Sequence, residues 1–350
     1  MTNKFFKILQ GNNGATYIVN AKDRKSINDS LKFYKARNFK SKFLKAGFKV
    51  LLLLQGKLYA KKLKSSSDIE QYLQHISKSP CDFGVNDNSS VLISPTSDKI
   101  IVHQHNEYFQ KFAFDKSYEK VKNESTIYNL IPQNLKFFQV SKFSDLHDER
   151  DKYCSFNLSN KHLKIGKNEK PKIVPALLEF FKTTESKTTK LGAYIEALIN
   201  TIDLNHNIEM KAQVDILKKI GKSYFSLEVP LGLVHRDFKP WNILSYEKPL
   251  IFDFEEAIID GLPLHDLYNF YTDPIIRYMS SRKVASIILS QQRVEEYNAY
   301  LNNLNINIDF NIFLHIYLVE QVIFWRKANE LHTSNRYLNL SNYLISKSKI

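Results

Sequence analysis

One stretch gathers side chains able to transfer a phosphoryl group: Leu233-Val-His-Arg-Asp-Phe-Lys-Pro-Trp-Asn-Ile-Leu244, followed by Leu250-Ile-Phe-Asp-Phe-Glu255. Asp237 and Asn242 stand five positions apart, and Asp253 closes a second apolar run. Phosphoryl transfer asks a protein mainly for positioning and charge neutralisation. Asp237 lies in a loop after the apolar run Leu231 to Val234 and is the candidate base for an attacking hydroxyl. Asn242 and Asp253 offer an amide oxygen and a carboxylate, the hard oxygen donors that Mg²⁺ takes, and are the candidate metal ligands. Lys239, two positions after Asp237, is a candidate cation for the transferring phosphate. Taken singly, each would read as a turn, cap or solvated residue; their combination at this spacing points to a site.

The pattern His-Arg-Asp with Asn five positions after the Asp, followed by Asp-Phe-Glu, resembles the protein-kinase-like superfamily. It is more similar to the branch of aminoglycoside phosphotransferases and choline kinases. That resemblance implies an α+β, two-lobed protein-kinase-like fold, with a small antiparallel β lobe and a helical lobe. It implies ATP and Mg²⁺ as cofactors and an alcohol as acceptor. It also implies that His235, and Asp266 in Leu264-His-Asp-Leu267, brace the catalytic loop. The Pro240-Trp-Asn242 variant resembles bacterial members of the branch, which assigns Trp241 to packing.

A kinase also needs a cation on the nucleotide phosphates, held by a carboxylate. Lys111 lies in the strand candidate Tyr108 to Phe114, and Glu124 lies thirteen positions on, in the helix candidate Ser117 to Leu130. These two are the expected nucleotide-binding pair. Tyr59-Ala-Lys-Lys62, with Glu70 after it, mimics the motif but has no strands around it. No glycine-rich loop precedes Lys111. Ser94-Pro-Thr-Ser-Asp98 occupies that turn, and the hydroxyls of Ser94 and Thr96 are the candidate phosphate contacts there.

The elements that would position these residues follow from periodicity. Strand candidates at Val91 to Ser94, Lys99 to His105 and Tyr108 to Phe114 precede the helix. Two more follow, at Lys136 to Phe143 and Lys152 to Leu158. The order is that of a kinase small lobe, over residues 86–160. Residues 159–172 are polar and Lys/Asn-rich, a connector into a helical lobe over 161–350, with helical spacing from Val174 onward and closing helices over Asp309 to Leu331 and Asn335 to Ile345. Residues 1–85 read as a basic, mostly helical extension. Within it, Ala21 to Arg37 and Phe43 to Lys64 carry helical apolar spacing, and Ser67-Asp-Ile-Glu70 resembles a capping box. Arg236 is expected to pair with Glu255 or Glu256.

Composition narrows the classes. At 350 residues and 43% hydrophobic, the chain can bury a sizeable core. Its apolar runs are too short for a membrane span, and it starts without a signal-peptide pattern. The two cysteines, Cys81 and Cys154, lack metal spacing and read as free thiols in a reducing compartment, which fits a cytoplasmic protein. The net charge of +14 comes from lysines scattered along a Lys-, Asn-, Ile-, Phe- and Tyr-rich chain, which argues against nucleic acid as partner. The basic segment 1–85 leaves room for peripheral contact with an anionic membrane at its inner face.

Between Asp253 and Asp266 the chain holds no Ser, Thr or Tyr and is short. That removes both a phosphorylation switch and most of a platform for a protein substrate. The expected partner is therefore a small-molecule or glycan acceptor. The resemblance of the Pro-Trp-Asn variant implies first a cell-envelope sugar or lipid-linked glycan. That of Asp-Phe-Glu255 implies choline or ethanolamine next, and the basic chain puts an antibiotic third. A non-catalytic pseudokinase is the competing class.

Overall fold

A computed structural model of the chain describes residues 6–10, 14–21, 23–30, 62–63, 65–96, 98–104, 108–149, 153–159, 172–184, 187–203, 207–244 and 248–347. The chain divides into two units: Met1–Asn129 with Val140–Ile165, and Leu130–Gln139 with Gly166–Ile350.

The first unit is built on an antiparallel sheet. Its strands are β1 (Phe6–Gln10), β2 (Thr16–Asn20), β3 (Lys62–Leu63), β4 (Ser89–Ile93), β5 (Lys99–Gln104), β6 (Tyr108–Ala113), β7 (Lys142–Glu149) and β8 (Tyr153–Ser159), in the order β3-β1-β2-β4-β5-β6-β8-β7. Its helices are α1 (Arg24–Ser30), α2 (Ser66–Ser77) and α3 (Asp115–Leu130). Successive side chains alternate between the two faces of a strand. One face, with Val91, Ile100, Val102 and Phe112, packs on Ile69 and Leu73 of α2 and on Phe83. Lys111 points to the opposite face, paired across strands with Ile101 and Phe156. On that face Phe156 meets Tyr128 of α3 at 6.1 Å between ring centres.

Three expectations are corrected here. Residues 1–85 are not an extension apart from the small lobe: among the described residues, β1, β2 and β3 join the sheet beside β4, with α1 and α2 as the helices of the segment. Two apolar runs, Phe6 to Leu9 and Tyr17 to Val19, flank Gly-Asn-Asn-Gly and pair as a hairpin, Phe6 opposite Asn20. Most of the helix proposed over Phe43 to Lys64, and the connector at 159–172, lie outside the described residues. The capping box is Ser65 with Asp68, two positions earlier than Ser67 with Glu70. Glu70 instead accepts the N–H groups of Phe83 and Val85. The strand expected over Lys136 to Phe143 starts at Lys142 and continues through a polar run, as sheet edges do. Phe138 packs on Phe180 at 5.7 Å, and Gln139 bridges to Leu250.

The second unit is mainly helical: α4 (Ile173–Phe181), α5 (Leu191–Asn200), α6 (Lys211–Ser223), α7 (His265–Ile276), α8 (Ser281–Ile288), α9 (Gln291–Asn302), α10 (Phe310–Lys327) and α11 (Leu331–Lys347). Tyr268, Tyr297, Tyr317 and Tyr337 form its aromatic centre, with rings 4.9 to 6.2 Å apart. Two small sheets carry the chemistry-bearing loops. One orders β13 (Ile258–Gly261), β10 (Glu228–Val234) and β9 (Lys187–Lys190); the other pairs β11 (Ile243–Leu244) with β12 (Leu250–Ile251). Gly232 lets β10 lie against α4, since a Cβ there would collide with the Phe181 carbonyl. No helix among the described residues is long and apolar enough to cross a membrane.

Candidate active site

Strand β10 delivers the chain into His235–Asn242, and α7 fixes the loop from its first turn. The Asp266 carboxylate accepts the N–H of His235 at 2.8 Å and that of Arg236 at 2.9 Å. Asn269, one turn on, donates to the Arg236 carbonyl. These bonds hold Arg236 at φ +61°, a left-handed conformation that costs a non-glycine residue roughly 1–2 kcal/mol. Burial outweighs the donors at Asp266 and pushes its carboxyl up to about 6. His235 lies between Phe180, Phe238 and Phe254, and its Nε2 meets the Phe252 carbonyl at 3.0 Å. The histidine therefore ties the loop to the segment leading into Asp253, the bracing position expected of it.

The ribbon β11–β12 pairs Ile243 with Ile251, so Asn242 and Asp253 leave it at the same end. The Phe252 N–H donates to the Asn242 carbonyl at 3.3 Å, which fixes that end. Asn242 is 4% exposed and spends its amide nitrogen on Asp237, at 2.9 Å to the carbonyl and 2.8 Å to Oδ2. Its amide oxygen is thereby aimed away from Asp237. Asp253 adopts φ +73°.

Lys239 is not a solvated lysine. It is 7% exposed, pairs with Asp237 Oδ1, and lies 3.4 Å from Asp273 Oδ2. Its ammonium sits over the rings of Trp241 and Trp325, at 5.9 and 5.3 Å from their centres. Desolvation raises the Asp273 carboxyl above the ordinary range, and the Lys239 charge opposes that rise. Sequence reading missed Asp273. The signal was present: Asp266, Asn269 and Asp273 recur at helical spacing, all buried on one polar stripe of α7.

In the first unit, Lys111 Nζ and Glu124 Oε2 are 2.6 Å apart, with side chains 10% and 0% exposed. Glu70, the partner offered by the mimic around Lys62, is committed to the Phe83–Val85 backbone. Ser94 and Thr96, the candidate phosphate contacts, have their hydroxyls engaged within the β4–β5 turn. Both hydroxyls donate to Asp98 Oδ1, Ser94 at 2.9 Å, and the Lys99 N–H donates to Ser94 Oγ at 3.1 Å. Desolvation opposes but does not outweigh these donors, which hold the Asp98 carboxyl below its ordinary value. Both hydroxyls of the turn are thus spent on Asp98, which Ser117 also serves.

Arg236 forms no ion pair with Glu255 or Glu256; its guanidinium lies 5.1 Å from the Phe324 ring centre. Glu320 accepts the Tyr194 hydroxyl and lies 3.6 Å from His265 Nε2, in a buried cluster where His265 is pushed down to about 3 by desolvation. Arg326 braces α10 to Glu209 and Ser334.

The segment 202–294, which contains the catalytic loop, Asp253 and α7, matches the model of a family described as phosphotransferase enzymes. No curated protein sequence matches the chain. Among solved structures, a thermostable mutant of aminoglycoside phosphotransferase APH(4)-Ia with AMP-PNP and hygromycin B is 11% identical, covers 81% of this chain and 99% of its own, with a TM-score of 0.50. Another mutant of that enzyme, with ADP and hygromycin B, is 12% identical over 81% and 99%, at 0.49. The GDP complex of aminoglycoside 2'-phosphotransferase-IIIa is 13% identical over 71% and 90%, at 0.40. The kinase-like fold read from the sequence is thus borne out, and the match over 202–294 agrees with the phosphotransferase resemblance read there.

Proposed function

We propose that this chain transfers the γ-phosphoryl group of ATP, with Mg²⁺, to a hydroxyl of a small saccharide, a cell-envelope sugar or a lipid-linked glycan. The observation that carries the reading is the fixed Asp237 carboxylate, gripped by Asn242 and Lys239 in a loop that Asp266 holds from below. Asp237 orients the acceptor hydroxyl and takes its proton as the new P–O bond forms. Lys239, anchored by Asp273, keeps a positive charge beside that carboxylate and near the oxygens of the moving phosphoryl group. The Asn242 amide oxygen and Asp253 form a hard donor set that fits Mg²⁺, which when bound neutralises charge on the nucleotide phosphates. Lys111, held by Glu124, is assigned to the nucleotide phosphates.

A choline or ethanolamine acceptor has less support. The rings of Trp241 and Trp325, which would have to cage a quaternary ammonium, already lie against Lys239. The reading places the enzyme in the cytoplasm, where ATP is available, with residues 1–85 as the segment that would touch anionic lipid. Co-sedimentation with anionic liposomes tests that last point; equal binding by a variant with its 1–85 lysines neutralised would remove it. For the activity itself, purified protein is incubated with Mg²⁺ and ATP and a panel of hydroxyl acceptors. Acceptor-dependent ADP formation is expected. A folded protein that neither turns over nor binds ATP would instead be a pseudokinase of another specificity.

A further inference from the structure

Three cations stand over aromatic rings beside Asp237: Arg236 over Phe324, Lys239 over Trp241 and Trp325, and Arg277 over Trp325 at 5.1 Å. The carboxylates of the same wall are already engaged. Asp237 has Asn242 and Lys239, Asp273 has Lys239 and the Tyr337 hydroxyl, and Glu320 has the Tyr194 hydroxyl. Lys239 is buried between two of them. Arg277 is not: it is exposed at the end of α7 and forms no ion pair among the described residues. The Trp325 ring beneath it is locked by its own Nε1–H to Gln321 Oε1 at 3.1 Å.

We infer that Arg277, shelved on Trp325, is the acceptor-recognition residue of this site and that it selects a hydroxylated acceptor carrying an oxyanion, a carboxylate or a phosphate. The inference rests on the kinase reading above and adds the charge class of the acceptor. A guanidinium over a ring keeps its N–H donors at its edge, in the fork that fits two oxygens of one anion. One ring joins Arg277 to Lys239, and Lys239 touches Asp237, so the anion and the reacting hydroxyl are set apart by a short fixed span. A polycationic acceptor meets the reverse arrangement: an exposed guanidinium at the rim, whose charge also bears on Asp273, and carboxylates that have donors already. Arg277 also stands where a helix C-terminus favours a cation, which is the purely structural role the test must separate.

The test is calorimetric binding to the full chain saturated with Mg²⁺ and AMP-PNP. The probes are D-glucuronate, glucose 1-phosphate, methyl glucoside and kanamycin. At least one of the two oxyanions is expected to bind more tightly than methyl glucoside and kanamycin, and which one binds tells carboxylate from phosphate. Arg277→Gln should weaken that binding by about tenfold or more, the size of one lost charge-assisted contact. Arg277→Lys should fall between, keeping charge without the fork. Arg282→Gln, an equal charge change on the exposed side of α8, should leave it unchanged. Failure of both oxyanions to bind, equal weakening by Arg277→Gln and Arg282→Gln, or preference for kanamycin would each overturn the inference. Absence of AMP-PNP binding in the same experiment would instead sink the kinase reading beneath it.

Discussion

The catalytic loop and the β4–β5 turn use the same kinds of groups to opposite ends. In the turn, Ser94 and Thr96 donate to Asp98, which Ser117 of α3 also serves. In the loop, the partners of Asp237 are loop residues too, but each is held from outside the loop, Lys239 by Asp273 of α7 and Asn242 by the β11–β12 ribbon. Asp266 and Asn269 hold the loop backbone separately. The difference lies one step out: the partners of Asp237 are themselves held by buried groups of other elements, so the carboxylate is fixed in place.

The contrast can be broken at several points. Asp237→Asn keeps the shape and removes the base, so transfer should drop by ~10²–10⁴-fold while nucleotide binding stays within a factor of about two, read by steady-state turnover and titration. Asp266→Ala leaves the His235 and Arg236 N–H groups buried without an acceptor. It should cost about 2–5 kcal/mol in chemical denaturation, with activity lost in proportion to the loop's order. Gly232→Ala should destabilise by about 1–3 kcal/mol, because β10 cannot draw away from the Phe181 carbonyl without moving the loop it feeds. Ser94→Ala with Thr96→Ala should change the KM for ATP by less than about twofold and stability by about 1 kcal/mol. A large rise in that KM would restore the turn as a phosphate contact.

Acid titration sharpens the same comparison. Asp266 has a folded value of about 6, above the ordinary 3.8, so the native state binds its proton more tightly than the unfolded chain does. Its contribution to stability therefore falls as pH rises from about 4 to about 6. His265 is lowered from 6.5 to about 3, so the unfolded chain takes its proton first and stability rises with pH over that range. The neighbours oppose each other between about pH 4 and 6, each by up to ~1.4 kcal/mol per pH unit. Asp266→Asn should expose the histidine alone. Its denaturation free energy should climb more steeply with pH across that window than the parent's; parallel curves would show that Asp266 does not titrate there.

What the sequence disclosed follows the range of the forces involved. The Lys111–Glu124 pair and the helices α4, α5, α6, α10 and α11 are written in short-range spacing, and the structure places them close to where they were read. The strand β7 lies at a sheet edge and is mostly polar, with only Phe143 and Leu146 apolar, so it leaves no regular alternation to detect. The N-terminal hairpin was hidden because its two runs are short and the longer apolar run after them suggested helix. Pairings that depend on chain folding back, Arg236 with Phe324 or Lys239 with Asp273, have no local signature at all. Asp273 was the exception, legible as a polar stripe on an otherwise buried helix.

The central claim is that this arrangement moves a phosphoryl group. Phosphorus NMR of ATP with the full chain and Mg²⁺ in the presence of hydroxyl acceptors tests it most directly, run beside a thermal-shift titration with ATP. The account predicts a nucleotide-dependent stabilisation that requires Mg²⁺, loss of the γ resonance with growth of ADP and a phosphoester signal, and no such conversion with Asp237→Asn. A folded protein showing neither stabilisation nor γ-phosphate loss, or a variant at Asp237 as active as the parent, would contradict it.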